Sequence, residues 1–555
     1  MNSAREMKVI VIGIDGGNLD VVGEGVKEGK LKTFEKFMKE GVYGSLESVV
    51  MPISPSAWAS FLTGKNPGKH GIFDFYVRDK KFARRRRPVN ARDIGAKTVY
   101  EILSENNKKV GMLNVPLTYP VKEINGFIVS SLLTPPGREY TWPPSLQQEL
   151  DSLGYQIELD EAYQCGKEKE FFQSVKEMIR KRKKALRYLM DQYDWDLLIG
   201  VFRETDVLSH AFWKFMDKNH PHFDEELSRK YRDCIMEIYG AIDNFLSEII
   251  HQMDDATVLM VVSDHGFASQ HRMVCLNTWL AKNGFLRFKR DLATTLRKIL
   301  FYYGMTPEKI WELITRSKTM YNRLVKNVHT RNKLARRVFL SYDSLDWQRT
   351  LAYAFGSVEA WGAIYLNTDK IDLSKPEEYD ELRERLMEKL LRLREPQTNR
   401  PIVKTVYRKE EVYQGSYLKE APDILVEWKQ GYVSDPYFFG GDKIISNIPP
   451  ARSGAHHFLG LFLVYGKEIA KGMRLQNARI LDMAPTILNL FELPVPEDMD
   501  GRVLKEIFKK DSELAKKEVL YRKAEAKKKE KKPEVFTKEE EERIKERLRG
   551  LGYLD

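Results

Sequence analysis

Four short apolar runs, at 9–14, 110–115, 197–202 and 258–262, constrain this chain more than any other feature. Each is nearly continuous in Val, Ile, Leu and Met, the pattern of a strand buried on both faces of a parallel sheet. Amphipathic stretches at 31–39, 98–106, 168–193 and 225–253 lie between them and read as helices. Alternation of this kind predicts an α/β fold, with a doubly wound, mostly parallel central sheet and helices on both faces. Further strands are expected at 42–50, 127–133, 351–366, 424–427 and 459–465, and further helices at 379–393 and 480–490.

In an open α/β sheet, functional groups collect beyond the carboxyl ends of the strands. The first run ends in Asp15-Gly16-Gly17, and Asp15 is either a metal-ready carboxylate or a helix N-cap. The 42–50 run leads into MPISPSAWASFLTGKNPGKHGIFDF. There Pro52 and Pro55 break the strand, so Ser54 falls on a strand-to-helix turn with 57–62 helical and Gly64 ending it. A hydroxyl at such a turn lies near unpaired N–H groups and the positive end of a helix dipole, which suits a phosphate. The plainer alternative is a capping serine. After 197–202, Asp206 and His210 are four residues apart and share one helix face. After 258–262 come Asp264 and His265, adjacent ligand types that face one ion only where the strand bends, as Gly266 permits. His456 and His457 sit in a glycine-containing loop before 459–465. Three aspartates, three histidines and one hydroxyl match two neighbouring divalent ions and a nucleophile. Imidazole and carboxylate favour zinc, with manganese or iron tolerated.

Composition narrows the remaining classes. The 555 residues are 42% hydrophobic, enough for a large core, and no run approaches the length of a membrane span. Cys165, Cys234 and Cys275 form no CxxC pair, which argues against a thiolate metal site and fits a reducing compartment. The N-terminal apolar run meets Asp15 too soon for a signal peptide, so a cytoplasmic location is expected. A net charge of +11 and the run Arg84 to Arg87 allow contact with phosphate or nucleic acid, but four consecutive arginines also make an ordinary solvated loop. The organisation expected is a catalytic domain of 1–280 and 350–510, a basic helical cap inserted at 281–349, and a charged helical tail at 511–555.

Taken together, the DG near the start, the hydroxyl nine residues before a TG, DxxxH, SDHG and a late GxH resemble the alkaline phosphatase superfamily. LTGKNPGKHGIFDF, VVSDHGF and DMAPTIL followed by DMDGR are similar to its type I phosphodiesterase/nucleotide pyrophosphatase branch. The resemblance implies that Ser54 is the nucleophile, that Asp206, His210 and His456 hold one ion, and that Asp15, Asp264 and His265 hold the other, which also contacts Ser54. It implies hydrolysis through a phosphoseryl intermediate, and it leaves His457 outside the ligand set. The asparagine that helps hold phosphate in the eukaryotic enzymes would fall at Phe75, and Asn114, at a strand end, is the candidate substitute. The expected partner is a small phosphoester, with no membrane span and no nucleic acid; homo-oligomerisation is left open. A phosphomonoesterase or phosphomutase on the same core is one alternative. A non-enzymatic protein that binds anionic partners is another, though it would leave a full ligand set unused. A sulfatase is disfavoured because Trp58 stands where that signature needs arginine.

Overall fold

The apolar runs assemble into one nine-stranded sheet. In spatial order its strands are Met473–Arg479, Val42–Glu47, Leu459–Gly466, Thr257–Val262, Lys8–Ile14, Leu197–Phe202, Val110–Leu113, Gly126–Val129 and Thr141–Trp142. The computed structural model describes residues 6–78, 86–159, 162–303, 340–357, 360–371, 375–435, 442–525 and 535–550. All of the strands run the same way except Leu459–Gly466 and the two-residue edge strand Thr141–Trp142. Lys8–Ile14 lies at the centre, parallel to both Leu197–Phe202 and Thr257–Val262, and these strands are almost wholly buried. Their side chains alternate between two apolar layers. Ile10, Ile12 and Ile14 face one, while Val9 and Val11 face the other. Helices cover both faces, as the doubly wound α/β reading expects.

The helices fall close to their expected places, with one break. The stretch 225–253 is two helices, Glu225–Tyr231 and Cys234–Gln252. Asp224 caps the first by accepting from Leu227 N. The first helix packs on the 213–215 turn, whereas the second packs on the helices at 32–40, 168–192 and 204–212, and the chain reorients between them.

Among the described residues, two four-stranded sheets and two two-stranded ones lie outside the main sheet. Gly266–Cys275 continues the chain beyond Asp264 and His265 and pairs antiparallel with Gly454–His457. The strands Ala352–Ala354, Trp361–Leu366, Ile424–Trp428 and Val403–Arg408 form a separate antiparallel sheet. Within residues 281–349, where an inserted cap is expected, the helix Leu292–Tyr302 and a turn at Tyr342–Ser344 are described, and 304–339 lies outside the described residues. Among the described residues no helix is long and apolar enough to cross a membrane, and the three cysteines form no disulfide.

The charged tail returns to the body. Tyr521–Arg522 pairs with Val495–Pro496. The helix Lys538–Gly550 then buries Ile544 and Leu548, and Phe536 stacks on Tyr119 with ring centroids 5.9 Å apart. Arg547 donates to the carbonyls of Leu132 and Thr134 at 2.9 and 2.8 Å. Three buried apolar side chains contribute roughly 1.5 kcal/mol or more each. Deleting 535–555 is therefore expected to destabilise the protein by several kcal/mol, about 4.5 kcal/mol or more from these side chains before the compactness of the unfolded chain is discounted. Thermal unfolding checks this, and an unchanged Tm in the truncated chain would contradict the docking.

Candidate active site

Lys8–Ile14 ends at Asp15 because Gly16 turns the chain with φ +66°, a conformation favoured by glycine. A Cβ at Gly16 would meet the Phe267 ring at 2.8 Å and the Asp206 Cα at 3.2 Å, so its absence lets three segments close on one point. Asp15 does not cap a helix. Asn18 does so, accepting from Asp20 N and Val21 N, and this leaves the fully buried Asp15 carboxylate facing inward.

Ser54 opens the helix Ser54–Thr63, which starts three residues earlier than the sequence suggested because Pro55 is well suited to a first turn. Ile53 is the N-cap residue, so the Ser54 hydroxyl is not used in capping. Its Oγ lies 3.4 Å from Asp15 Oδ1 and 3.2 Å from His265 Nε2. The far end of this helix is clamped by the motif around it. Lys65 pairs with Asp498 and Lys69 with Asp500, each at 2.5 Å. Asn66 donates twice to Asp500. His70 bonds Ser60 Oγ at 2.8 Å, and burial pushes the His70 imidazole down to about 3. It is therefore a neutral strut inside the fold.

Asp206 and His210 share a face of the helix Glu204–Phe212, with Asp206 Oδ1 3.4 Å from His210 Nε2. His456 Nε2 lies 3.2 Å from the same oxygen and 3.1 Å from His210 Nε2. On the other side, His265 Nε2 is 3.2 Å from Asp264 Oδ2 and 3.6 Å from Asp15 Oδ1. The His265 and His456 rings stack with centroids 3.6 Å apart, which joins the two halves. Asp15, Asp264 and His265 offer ligand atoms within 4.8 Å of one another, and so do Asp206, His265 and His456. His265 thus belongs spatially to both groups.

Each of the three histidines turns Nδ1 to a backbone carbonyl: His210 to Gly454, His265 to Gly266 and His456 to Pro52. A carbonyl only accepts, so each Nδ1 carries the hydrogen and Nε2 faces the cluster. Metal-binding histidines are oriented in this way. Two Nε2 atoms 3.1 Å apart need a proton or a cation between them. Asp15 Oδ2 and Asp264 Oδ2 are buried and accept no hydrogen bond. The donor set therefore fits divalent cations.

The titration behaviour has the same cause. Burial, then repulsion from Asp264 and Asp206, raises Asp15 well above the carboxylate range. Burial, then Asp206, pushes Asp264 up to about 7. Burial, then His456, holds His265 well below its ordinary value, and burial also lowers His456. Burial opposes ionisation of Asp206, but His210 and His456 outweigh it and hold its carboxyl well below the usual range.

The fold therefore brings Asp15, Ser54, Asp206, His210, Asp264, His265 and His456 together. The Asn114 amide donates to Val201 O at 3.0 Å, and its Oδ1 is buried without a hydrogen bond. Phe75 is buried in the apolar core. His457 is exposed. In the arginine run, Arg84 and Arg85 lie outside the described residues, and Arg87 forms a two-pronged pair with Asp93. Sequence reasoning missed a buried charge network behind the cluster. Arg203 Nε lies 3.4 Å from Asp15 Oδ2 while its Nη1 bonds Glu158 at 2.5 Å, and Arg182 pairs with Glu204 at 2.7 Å. Thr205 Oγ1 bonds the Asp15 carbonyl at 2.5 Å. The run of polar residues just after 197–202 could have pointed to Arg203, Glu204 and Thr205, but nothing local marks Glu158 or Arg182.

The family model for type I phosphodiesterase/nucleotide pyrophosphatase matches residues 9–438. The chain belongs to this family. It is a phosphohydrolase of the phosphodiesterase/pyrophosphatase type, acting on phosphoester bonds. His456 lies beyond the matched span. No curated protein sequence matches the chain. Among solved structures, phosphonoacetate hydrolase from Sinorhizobium meliloti is similar at a TM-score of 0.53 and 12% identity, over 86% of this chain and 94% of that one. Human ectonucleotide pyrophosphatase/phosphodiesterase 5 is similar at a TM-score of 0.47 and 13% identity, over 90% of this chain and 98% of that one. The first of these supports the alkaline phosphatase-like fold.

The pH window for cation binding follows from Asp264. Its folded value is raised, so its proton stabilises the cation-free protein at acid pH, and that contribution is lost as pH rises through about 7. A cation must displace that proton below about 7 but not above. The Tm gap between zinc-loaded and chelated protein is expected to widen as pH rises to about 7 and then level off. A gap that narrows over this range would contradict the assignment.

Proposed function

We propose that this family member hydrolyses phosphodiesters with Ser54 as nucleophile. Asp206, His210 and His456 hold one divalent ion, and Asp15, Asp264 and His265 hold the other, with zinc preferred and manganese or iron accepted. The observation that carries this reading is the Ser54 hydroxyl, 3.4 Å from Asp15 Oδ1 and 3.2 Å from His265 Nε2, at the N-terminus of a buried helix.

Bound there, two divalent ions would neutralise charge on the phosphoryl group and activate oxygen nucleophiles at neutral pH. The chain's own residues do the rest. Ser54 Oγ, aimed away from its own helix cap, forms the bond to phosphorus as the ester oxygen departs, and water then cleaves the phosphoseryl bond. The first turn of the Ser54–Thr63 helix places its positive dipole end beside the phosphoryl oxygens. The Nδ1-to-carbonyl bonds fix the three imidazoles, so little reorganisation is needed during reaction. The clamp of Lys65, Asn66 and Lys69 on Asp498 and Asp500 holds the helix, and so Ser54, in register.

Ser54→Ala is expected to lower turnover of an aryl phosphodiester by at least about a thousandfold, while zinc content and Tm stay near wild type. Ser56, whose Oγ donates to Ile72 O at 2.9 Å, serves the fold, so Ser56→Ala should keep most activity and lose some stability. An inactive Ser56→Ala beside an active Ser54→Ala would reverse the assignment. Faster turnover of the matching aryl monoester than of the diester would favour a phosphomonoesterase.

A further inference from the structure

The helix Leu292–Tyr302 in the insertion presents an apolar stripe outward. Leu292, Leu296, Ile299 and Tyr303 are exposed by 78%, 55%, 47% and 83%. Their spacing of four, three and four residues puts them on one side of the helix. The helix is nonetheless anchored to the body. Thr294 is buried, and its N and Oγ1 both bond the capping Asp291. A surface helix of a globular protein normally turns its apolar side to the core, so this stripe marks an interaction face.

Beside the stripe lies a cleft of about 330 Å³ lined by Lys282, Arg287, Lys289, Arg290, Lys298 and Arg349. Its lining also includes Phe288, Phe301 and Tyr302, but no aspartate or glutamate among the described residues. The nearest acids in sequence are engaged, with Asp291 capping the helix and Asp346 pairing with Arg349 at 2.7 Å. Residues 281–349 hold sixteen Lys and Arg against five Asp and Glu, a surplus of eleven. The whole chain's net charge is +11, so the insertion alone accounts for it. Residues 304–339, which follow the helix, carry nine Lys and Arg against two Glu, so the chain's own continuation has the sign of the cleft and not the opposite one.

We propose that this face of the insertion docks on an anionic lipid surface, with the stripe entering the headgroup region and the basic cleft taking phosphate-bearing headgroups. An apolar stripe flanked by Lys, Arg and Tyr is the arrangement that lies in a membrane interface without crossing it. Nucleic acid would satisfy the basic cleft but offers nothing to Leu296 and Ile299. This inference does not depend on the assignment of Ser54 or of the metal ligands.

The test is co-sedimentation of the full zinc-loaded chain with vesicles of equal parts phosphatidylcholine and phosphatidylglycerol, and with pure phosphatidylcholine vesicles. Wild type is expected to bind the acidic vesicles at least about tenfold more tightly than the neutral ones. Leu296→Glu with Ile299→Glu should cut binding to acidic vesicles by at least about tenfold, and so should Lys289→Glu with Arg290→Glu. Hydrolysis of a soluble aryl phosphodiester should be unchanged in both, which also shows that the variants fold. A wild type that ignores acidic vesicles overturns the proposal. So does an apolar-stripe variant that binds them as wild type does, because the attraction would then be charge alone. Binding of single-stranded DNA in preference to acidic vesicles would also overturn it, and would assign the face to nucleic acid.

Discussion

Three carboxylates, Asp15, Asp206 and Asp264, are buried completely within one small volume. Uncompensated charges in such a place cost several kcal/mol each, so the arrangement persists only with protons or cations present. Below about pH 7 the Asp264 proton supplies part of that compensation, and above it a cation must, bound by histidine Nε2 lone pairs on rings whose Nδ1 hydrogens are held by backbone carbonyls. Much of the remaining architecture can be understood as a means of holding this charge concentration in place. The DGG turn closes it, the Arg203–Glu158 pair stands behind Asp15, and the Lys65 and Lys69 ion pairs steady the helix that delivers Ser54.

Sheet topology explains why residues so far apart in sequence meet. Thr257–Val262, Lys8–Ile14 and Leu197–Phe202 are adjacent and parallel, so their carboxyl ends lie side by side and carry Asp264, Asp15 and Asp206. Leu459–Gly466 is antiparallel to Thr257–Val262, and its beginning therefore lies at that same edge. His456, just before it, arrives there for that reason. The next strand, Val42–Glu47, runs with the majority and leads to Ser54. The one reversed strand inside the sheet is what allows a residue from the end of the domain to complete a site begun at Asp15.

The parts of this fold that could be read from sequence are those set by local pattern. Buried parallel strands show as unbroken apolar runs, and the i, i+4 spacing of Asp206 and His210 requires only a helix. The SDHG bend is visible because glycine follows two ligand types. What escaped is set by tertiary partners. The reversed direction of Leu459–Gly466 leaves no mark in its composition. Arg203 and Glu158 look like surface residues until the fold buries both. The charged tail lacks a strong core pattern, yet Ile544 and Leu548 suffice to dock its last helix. Asn114 stands at a strand end as expected, and its amide donates to Val201 O.

The most direct test of the central claim is an anomalous difference map from zinc-soaked crystals. Two peaks about 4 Å apart are expected, one ringed by Asp206, His210 and His456 and the other by Asp15, Asp264 and His265, with Ser54 Oγ beside the second. A map with no peak among these six side chains, or with zinc held by His457 in place of His456, would contradict the account.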